Sequence, residues 1–390
     1  MLVLFRIKSI IFGKFIQSRA VYKTQNMGAY FNKTVIQLFQ LTNNIHNMKK
    51  IRVAINGFGR IGRAFVKVVK DRSDIEVVAI NDLGDIKSFA YLLKYDTAYG
   101  VSPFDVSVNE KNNSIVIDGA EILYISEKDP AKYPWKAMDI DVVVESTGLF
   151  TSSEKANAHI IAGAKRVVVS APIKDKEDST VKGATILMAM NEDKLETCQI
   201  TSNASCTTNA ASPLMAILDE SLGIEKAILN TVHGYTASQG LVDGPNKKDL
   251  REGRAAAQNI VPSSTGAAIA VTKALPQLAG KFDGISIRVP VVCGSIVDVT
   301  FISKKNTTAE EVNDILKKAG STPRWNGIFT TTEEPLVSHD IIGNRHASIA
   351  DLALTRVVDG NLVKVMAWYD NEMGYTYTLV EHVVKAGRLV

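Results

Sequence analysis

The chain has 390 residues, 46% hydrophobic and 22% charged, with 26 Gly, 11 Pro and 3 Cys. These proportions exclude a disordered chain, a collagen and a disulfide scaffold, and the length suffices for one large domain or two medium ones. Although the net charge is +4, residues 1–48 hold six of the 45 Lys/Arg and none of the 41 Asp/Glu, so the rest is near-neutral and offers no basic surface for nucleic acid or an anionic membrane.

Residues 1–48 are basic, free of acid and apolar at helical intervals, as at Leu4, Ile7, Ile10, Ile11 and Phe15, the pattern of a mitochondrial-type presequence. The competing reading is a translation start at Met48, which makes this leader dispensable. Arg6 and Lys8 interrupt the apolar run and speak against a secretory signal. From Lys49 the pattern becomes strand Ile51 to Ile55, helix Gly62 to Val69 and strand Glu76 to Ile80, a parallel βαβ unit. Further strands are expected at Ser114 to Ile117, Val142 to Val144, Val167 to Val169 and Thr185 to Met188, with a helix over Ser152 to Ile161. That order predicts an α/β protein with a Rossmann-type doubly wound parallel sheet.

A helix is expected over Ala210 to Glu220, bent or limited by Pro213. Beyond it, strands at Ala227 to Val232, Ile285 to Val292, Ile296 to Ile302 and Leu362 to Tyr369 predict a second, α+β catalytic domain on a mostly antiparallel sheet. The tail, Tyr375 to Val390, has the spacing of a helix that packs back on the first domain. The expected boundaries are 49–205 with 370–390 for cofactor binding and 206–369 for catalysis. No run approaches the roughly 18 to 20 apolar residues of a membrane helix, which points to a soluble protein.

Gly57-Phe58-Gly59-Arg60-Ile61-Gly62 follows a strand and opens a helix, the context in which G-x-G-x-x-G brings backbone and a helix N-terminus against a pyrophosphate. Asp82 lies 25 residues after Gly57, near the spacing at which an acid meets the adenosine ribose, and this favours NAD over NADP. Cys206 sits in Ser202-Asn203-Ala204-Ser205-Cys206-Thr207-Thr208-Asn209, just before a helix whose positive end would lower a thiol pKa. A lone cysteine is more commonly a small buried hydrophobe, and the cap-rich neighbourhood is what singles this one out. His233 ends an apolar strand, from which an imidazole can activate a thiol, although a structural histidine is the alternative. Arg288 interrupts another apolar strand, to pair with a carboxylate or face an anion. Cys198, Cys206 and Cys293 form no CxxC or zinc spacing, so no metal and a reducing compartment are expected.

Taken together, Asn56 to Arg63, Ser202 to Asn209 and Trp368-Tyr369-Asp370-Asn371-Glu372 closely resemble phosphorylating, NAD-dependent glyceraldehyde-3-phosphate dehydrogenase, over residues 49–390. The resemblance implies that Cys206 attacks the aldehyde to give a hemithioacetal, that hydride passes to NAD, and that inorganic phosphate cleaves the resulting thioester. It implies His233 as the base, Thr236 and Arg288 at the substrate C3 phosphate, and Ser205, Thr207, Thr265 and Gly266 around the attacking phosphate. Cofactor contacts are implied for Gly57, Phe58, Gly59, Arg60, Ile61, Gly62, Asp82, Ser146, Thr147, Gly148, Ser170 and Asn371, the last orienting the nicotinamide carboxamide. A homotetramer is implied, with Gly244-Pro245 near a neighbouring subunit's cofactor, and a cytoplasmic location, or an organellar one if the leader is a real presequence.

Three positions depart from the family pattern: Ala210 replaces a frequent second cysteine, Met373 an aromatic, and Glu252 an arginine found in some bacterial members. Two other functions compete: an erythrose-4-phosphate dehydrogenase that releases an acid by hydrolysis, and an NAD-site protein that works through surface partners.

Overall fold

Val53, Ala54 and Ile55 are wholly buried, as expected for the centre of a parallel sheet covered on both faces. The computed structural model describes residues 49–175, 179–247 and 249–390, so both readings of the leader lie outside the described residues. The first part runs β1 (Ile51–Asn56), α1 (Arg60–Val69), β2 (Ile75–Asn81), α2 (Ile86–Lys94), a small hairpin of β3 (Tyr95–Asp96) and β4 (Gly100–Val101), then β5 (Val106–Asn109), β6 (Ser114–Ile117), β7 (Ala120–Ile125) and β8 (Val142–Glu145). It continues with α3 (Ser153–Ile161), β9 (Arg166–Val169), β10 (Gly183–Thr185) and β11 (Ile200–Ser202). Apart from the hairpin, these strands form one sheet in the order β10-β11-β9-β8-β1-β2-β7-β6-β5. It is parallel except where β6 meets β5 and β7. The chain order reverses between β1 and its neighbours β2 and β8, the crevice where open α/β sheets bind ligands.

The second part begins with α4 (Cys206–Leu222), β12 (Ile224–Gly234), β13 (Val261–Ser264), α5 (Ala267–Thr272), β14 (Phe282–Val289) and β15 (Ser295–Ser303). There follow α6 (Ala309–Gly320), β16 (Phe329–Thr332), β17 (Ser348–Asp351), β18 (Arg356–Val358), β19 (Leu362–Tyr369) and α7 (Met373–Gly387). The sheet order is β13-β14-β12-β15-β19-β17-β16, with β18 also on β19. Its pairings are antiparallel except β12 with β14 and β16 with β17. Leu214, Met215 and Leu218 of α4 share a core with Val297, Val299, Val363 and Val365, while Leu379, Val380 and Val383 of α7 join Ile51, Phe65 and Val66.

Several elements differ from the expected ones for local reasons. The strand expected over Thr185 to Met188 ends at Thr185, because Asn191 donates to the Thr185 carbonyl and accepts from Leu187 N, turning the chain out of the sheet. The helix expected from Ala210 starts at Cys206, where Ser205 caps it by accepting from Thr208 N at 3.1 Å. Pro213 lies inside that helix without ending it. β12 continues past Val232, so His233 stands within the strand, paired with Arg288 of β14. β14 stops at Val289 rather than Val292, since Pro290 has no amide to extend the ladder.

Candidate functional site

Cys206 is the first residue of α4 and His233 the last but one of β12; their side chains meet with Sγ 3.3 Å from Nε2. What holds helix and strand together is Tyr369, at the end of β19. Its hydroxyl lies 2.9 Å from Thr207 Oγ1 and 2.7 Å from Thr231 Oγ1, and its ring meets His233 edge-on at 5.9 Å. On the other side of the imidazole, Nδ1 lies 2.6 Å from the Gly234 carbonyl and 2.6 Å from Arg288 Nη1. An arginine N–H only donates, so in that contact Nδ1 accepts and Nε2–H points at sulfur; with Nδ1–H turned to Gly234, Nε2 is the acceptor for the thiol proton. Burial, reinforced by Arg288, holds His233 down to about 3. Burial also pushes the Cys206 thiol up, against the pull of Arg288 and the Thr207 amide. The resting pair is therefore thiol and neutral imidazole, beside a fixed cation.

In the loop after β12, the hydroxyl of Thr236 contacts Ser238 Oγ at 3.1 Å. Arg288 Nε is buried without a partner among the described residues, an open edge for an oxyanion. Thr265 Oγ1 accepts from Ala267 N, and nothing lies within 4 Å of the Cβ direction of Gly266. Ser205 and Thr207 turn their hydroxyls inward, to Thr208 and Tyr369, so what they present outward at the start of α4 is backbone. Arg251 pairs with Asp249, and Glu252 accepts from Ser263 Oγ. Ala210 is fully buried in α4.

The crevice at β1 fits NAD. Gly57 has φ +97°, and a Cβ there would stand 2.6 Å from Thr147 N; a Cβ on Gly62 would stand 2.3 Å from the Gly57 carbonyl, whereas Gly59 faces open space. The first turn of α1 has no acidic residue and no capping side chain, which leaves its amides for an anion. Phe58 N and Gly84 N hold the two oxygens of Asp82, at 2.6 and 3.0 Å, fixing an acceptor at the end of β2. Ser146 Oγ donates to the Gly57 carbonyl, Ser170 N to the Glu145 carbonyl, and Gly148 takes φ +73° with open space above it. Thr147 turns both its amide and its hydroxyl inward to Glu145. Phe58 is buried and Ile61 half-buried, while Arg60 binds Glu372 and Asp96. Asn371 Oδ1 accepts from Gly294 N and Ser295 Oγ at 3.1 and 2.9 Å, so among the described residues its Nδ2 is left to point a donor at a ligand.

Two buried networks have no counterpart in the sequence reading. Trp135 Nε1 donates to His159 Nδ1, so His159 Nε2–H donates to Glu145, which also takes Asn56 Nδ2. Asp370 gathers Tyr99 and Cys293. Asp370 lies inside a motif already singled out, but Tyr99 is 271 residues away with no local signal. Among the described residues no helix is long and apolar enough to cross a membrane.

Comparison with known proteins agrees with this geometry. The profile of the glyceraldehyde 3-phosphate dehydrogenase NAD binding domain matches residues 51–153, and that of the C-terminal domain matches 205–371. A glyceraldehyde-3-phosphate dehydrogenase of Streptomyces coelicolor is 46% identical over 340 residues, covering 86% of this chain and 98% of the relative. One of Borreliella burgdorferi is 47% identical over 338 residues (85% and 98%), and one of Mycobacterium avium 46% over 345 residues (87% and 99%). With its NAD crevice and its paired cysteine and histidine carried on two matching domains, the chain belongs to the glyceraldehyde-3-phosphate dehydrogenase family.

Proposed function

We propose that the chain oxidises glyceraldehyde 3-phosphate with NAD and inorganic phosphate to 1,3-bisphosphoglycerate, in glycolysis and gluconeogenesis. The observation that carries the reading is the 3.3 Å contact of Cys206 with His233 beside Arg288. His233 Nε2 takes the thiol proton as sulfur bonds to the aldehyde carbon and hands it to the carbonyl oxygen, which completes the hemithioacetal and leaves His233 neutral again. NAD, when bound, supplies the hydride acceptor that oxidises this adduct. His233 takes the adduct's hydroxyl proton at that moment, leaving a thioester on Cys206. A phosphate oxygen then bonds to the acyl carbon, the C–S bond breaks, and the Cys206 thiolate leaves with Arg288 and the start of α4 to stabilise it.

Thr236 and Arg288 bind the substrate's C3 phosphate, and Thr265, Gly266 and the Ser205 to Thr207 turn take the attacking one. Gly57 to Gly62, Asp82, Ser146 to Gly148, Ser170 and Asn371 line the NAD site. The cofactor domain is 49–205 with 370–390 and the catalytic domain 206–369. The protein is a cytoplasmic homotetramer; Leu241, Val242 and Leu250, 82%, 73% and 83% exposed beside Gly244-Pro245, support burial of that loop against a second subunit. The test is NADH formation by the full chain with glyceraldehyde 3-phosphate and NAD, with and without inorganic phosphate. Phosphate-dependent turnover is expected; equal turnover without phosphate would make the enzyme a hydrolysing dehydrogenase instead.

A further inference from the structure

Asp370 is wholly buried and its carboxylate accepts from five groups. Oδ1 takes Glu372 N at 2.9 Å, Met373 N at 2.8 Å, Tyr99 Oη at 2.9 Å and Cys293 Sγ at 3.1 Å. Oδ2 takes Gly343 N at 2.7 Å, and Tyr99 Oη again at 3.1 Å. An Asx turn ahead of α7 needs only the first two of these donors; the other three come from separate segments of the chain. A buried carboxylate is costly unless so satisfied, and once satisfied it is a rigid point. Burial and the neighbouring carboxylate push the thiol of Cys293 and the hydroxyl of Tyr99 up, so both remain donors.

The next residue is Asn371, whose Oδ1 is held by Gly294 N and Ser295 Oγ. The loop 293–295 is therefore tied at its first residue to Asp370 and at the next two to Asn371. Both the backbone that carries Asn371 and the groups that aim its side chain depend on one carboxylate. We propose that Asp370 is a positioning residue, which acts through Cys293 and the loop 293–295 to aim the Asn371 amide at the nicotinamide end of the cofactor. This rests on the reading that Asn371 meets the nicotinamide carboxamide.

The test is calorimetric binding of NAD and of ADP-ribose, which keeps the dinucleotide frame and lacks the nicotinamide ring, to full-length wild type and variants. Asp370→Asn and Cys293→Ala are expected to weaken NAD about tenfold or more while ADP-ribose changes by less than about twofold, and Cys293→Ser to recover most of the loss because it restores a donor. Unchanged ADP-ribose affinity certifies the fold, and if Asp370→Asn does not fold, Cys293→Ala decides. Equal losses of both ligands, or no loss of either, would overturn the proposal. Asn371→Ala separates the two claims. If that variant shows no selective loss of NAD, the reading of Asn371 fails; if it does while Asp370→Asn and Cys293→Ala bind like wild type, Asn371 stands and positioning by Asp370 fails.

Discussion

At Cys206 two effects oppose each other, burial raising the thiol pKa and Arg288 lowering it. Arg288→Leu removes the lowering cation, so the rise of Cys206 alkylation by iodoacetamide with pH is expected to move to higher pH. A rise at the wild-type pH would show that the guanidinium does not act on the thiol. Cys206→Ser keeps the volume and loses the nucleophile, so NAD binding is expected to persist while turnover disappears; turnover near wild type in that variant would reject the covalent route. Asp82→Gly removes both a ribose acceptor and a charge that repels a 2′-phosphate, so NAD is expected to weaken more than NADP. Affinities for the two cofactors measured side by side check this, and an unchanged ratio would assign the selection to another group.

The start of α4 depends on one hydroxyl. Ser205 Oγ accepts from Thr208 N, and Ser205→Ala is expected to cost about 1 kcal/mol of stability, read from urea unfolding, along with a fall in kcat as the helix start loosens under Cys206. A stability loss with kcat intact would confine Ser205 to the fold. The cap-rich turn before Cys206 was legible in sequence, though the helix start four residues before Ala210 was not; caps, glycine turns and apolar strands are local signals, and β1, β2, β6, β8, β15 and β19 were all visible as apolar runs. Strands β5 and β7 were not, since they are largely exposed or half-buried, nor was β11, which holds only three residues. Ile186 to Met188 misled because an apolar run marks burial, not pairing, and a side chain from Asn191 took the backbone bonds a neighbouring strand would have used. Tyr369 and Asp370 lie within the Trp368 to Glu372 motif, yet their partners Thr231, Tyr99 and Cys293 meet them only after folding, so composition and spacing carry no trace of the contact.

For the molecule as a whole, acid is the expected weakness. His233 and His382 are both held by burial at about 3, well below the ordinary value of about 6.5. The unfolded chain binds protons there that the native state refuses, so stability is full above about pH 6.5 and falls as pH drops towards 3, by up to about 1.4 kcal/mol per pH unit for each group. His382 is clasped between Thr201 Oγ1 and Asn203 Oδ1, and is not one of the residues assigned to the chemistry. His382→Gln is expected to flatten the slope of unfolding free energy between pH 6 and 4, measured by urea titration at several pH values; a slope unchanged from wild type would remove His382 from the account.

β19 alternates along its length: Val363, Val365, Ala367 and Tyr369 are buried in the core, while Lys364 lies half-buried against Asp298 of β15. Because side chains on a strand repeat every two residues, losing a single codon anywhere in it would exchange the two faces. Lys364 would enter the hydrocarbon interior, and the three consecutive residues that tie down α4, the loop 293–295 and the cofactor end would all miss their marks together. This stretch of the gene therefore does not tolerate a shift in length, and an engineer seeking a place to insert a tag or a sensor should look elsewhere in the chain.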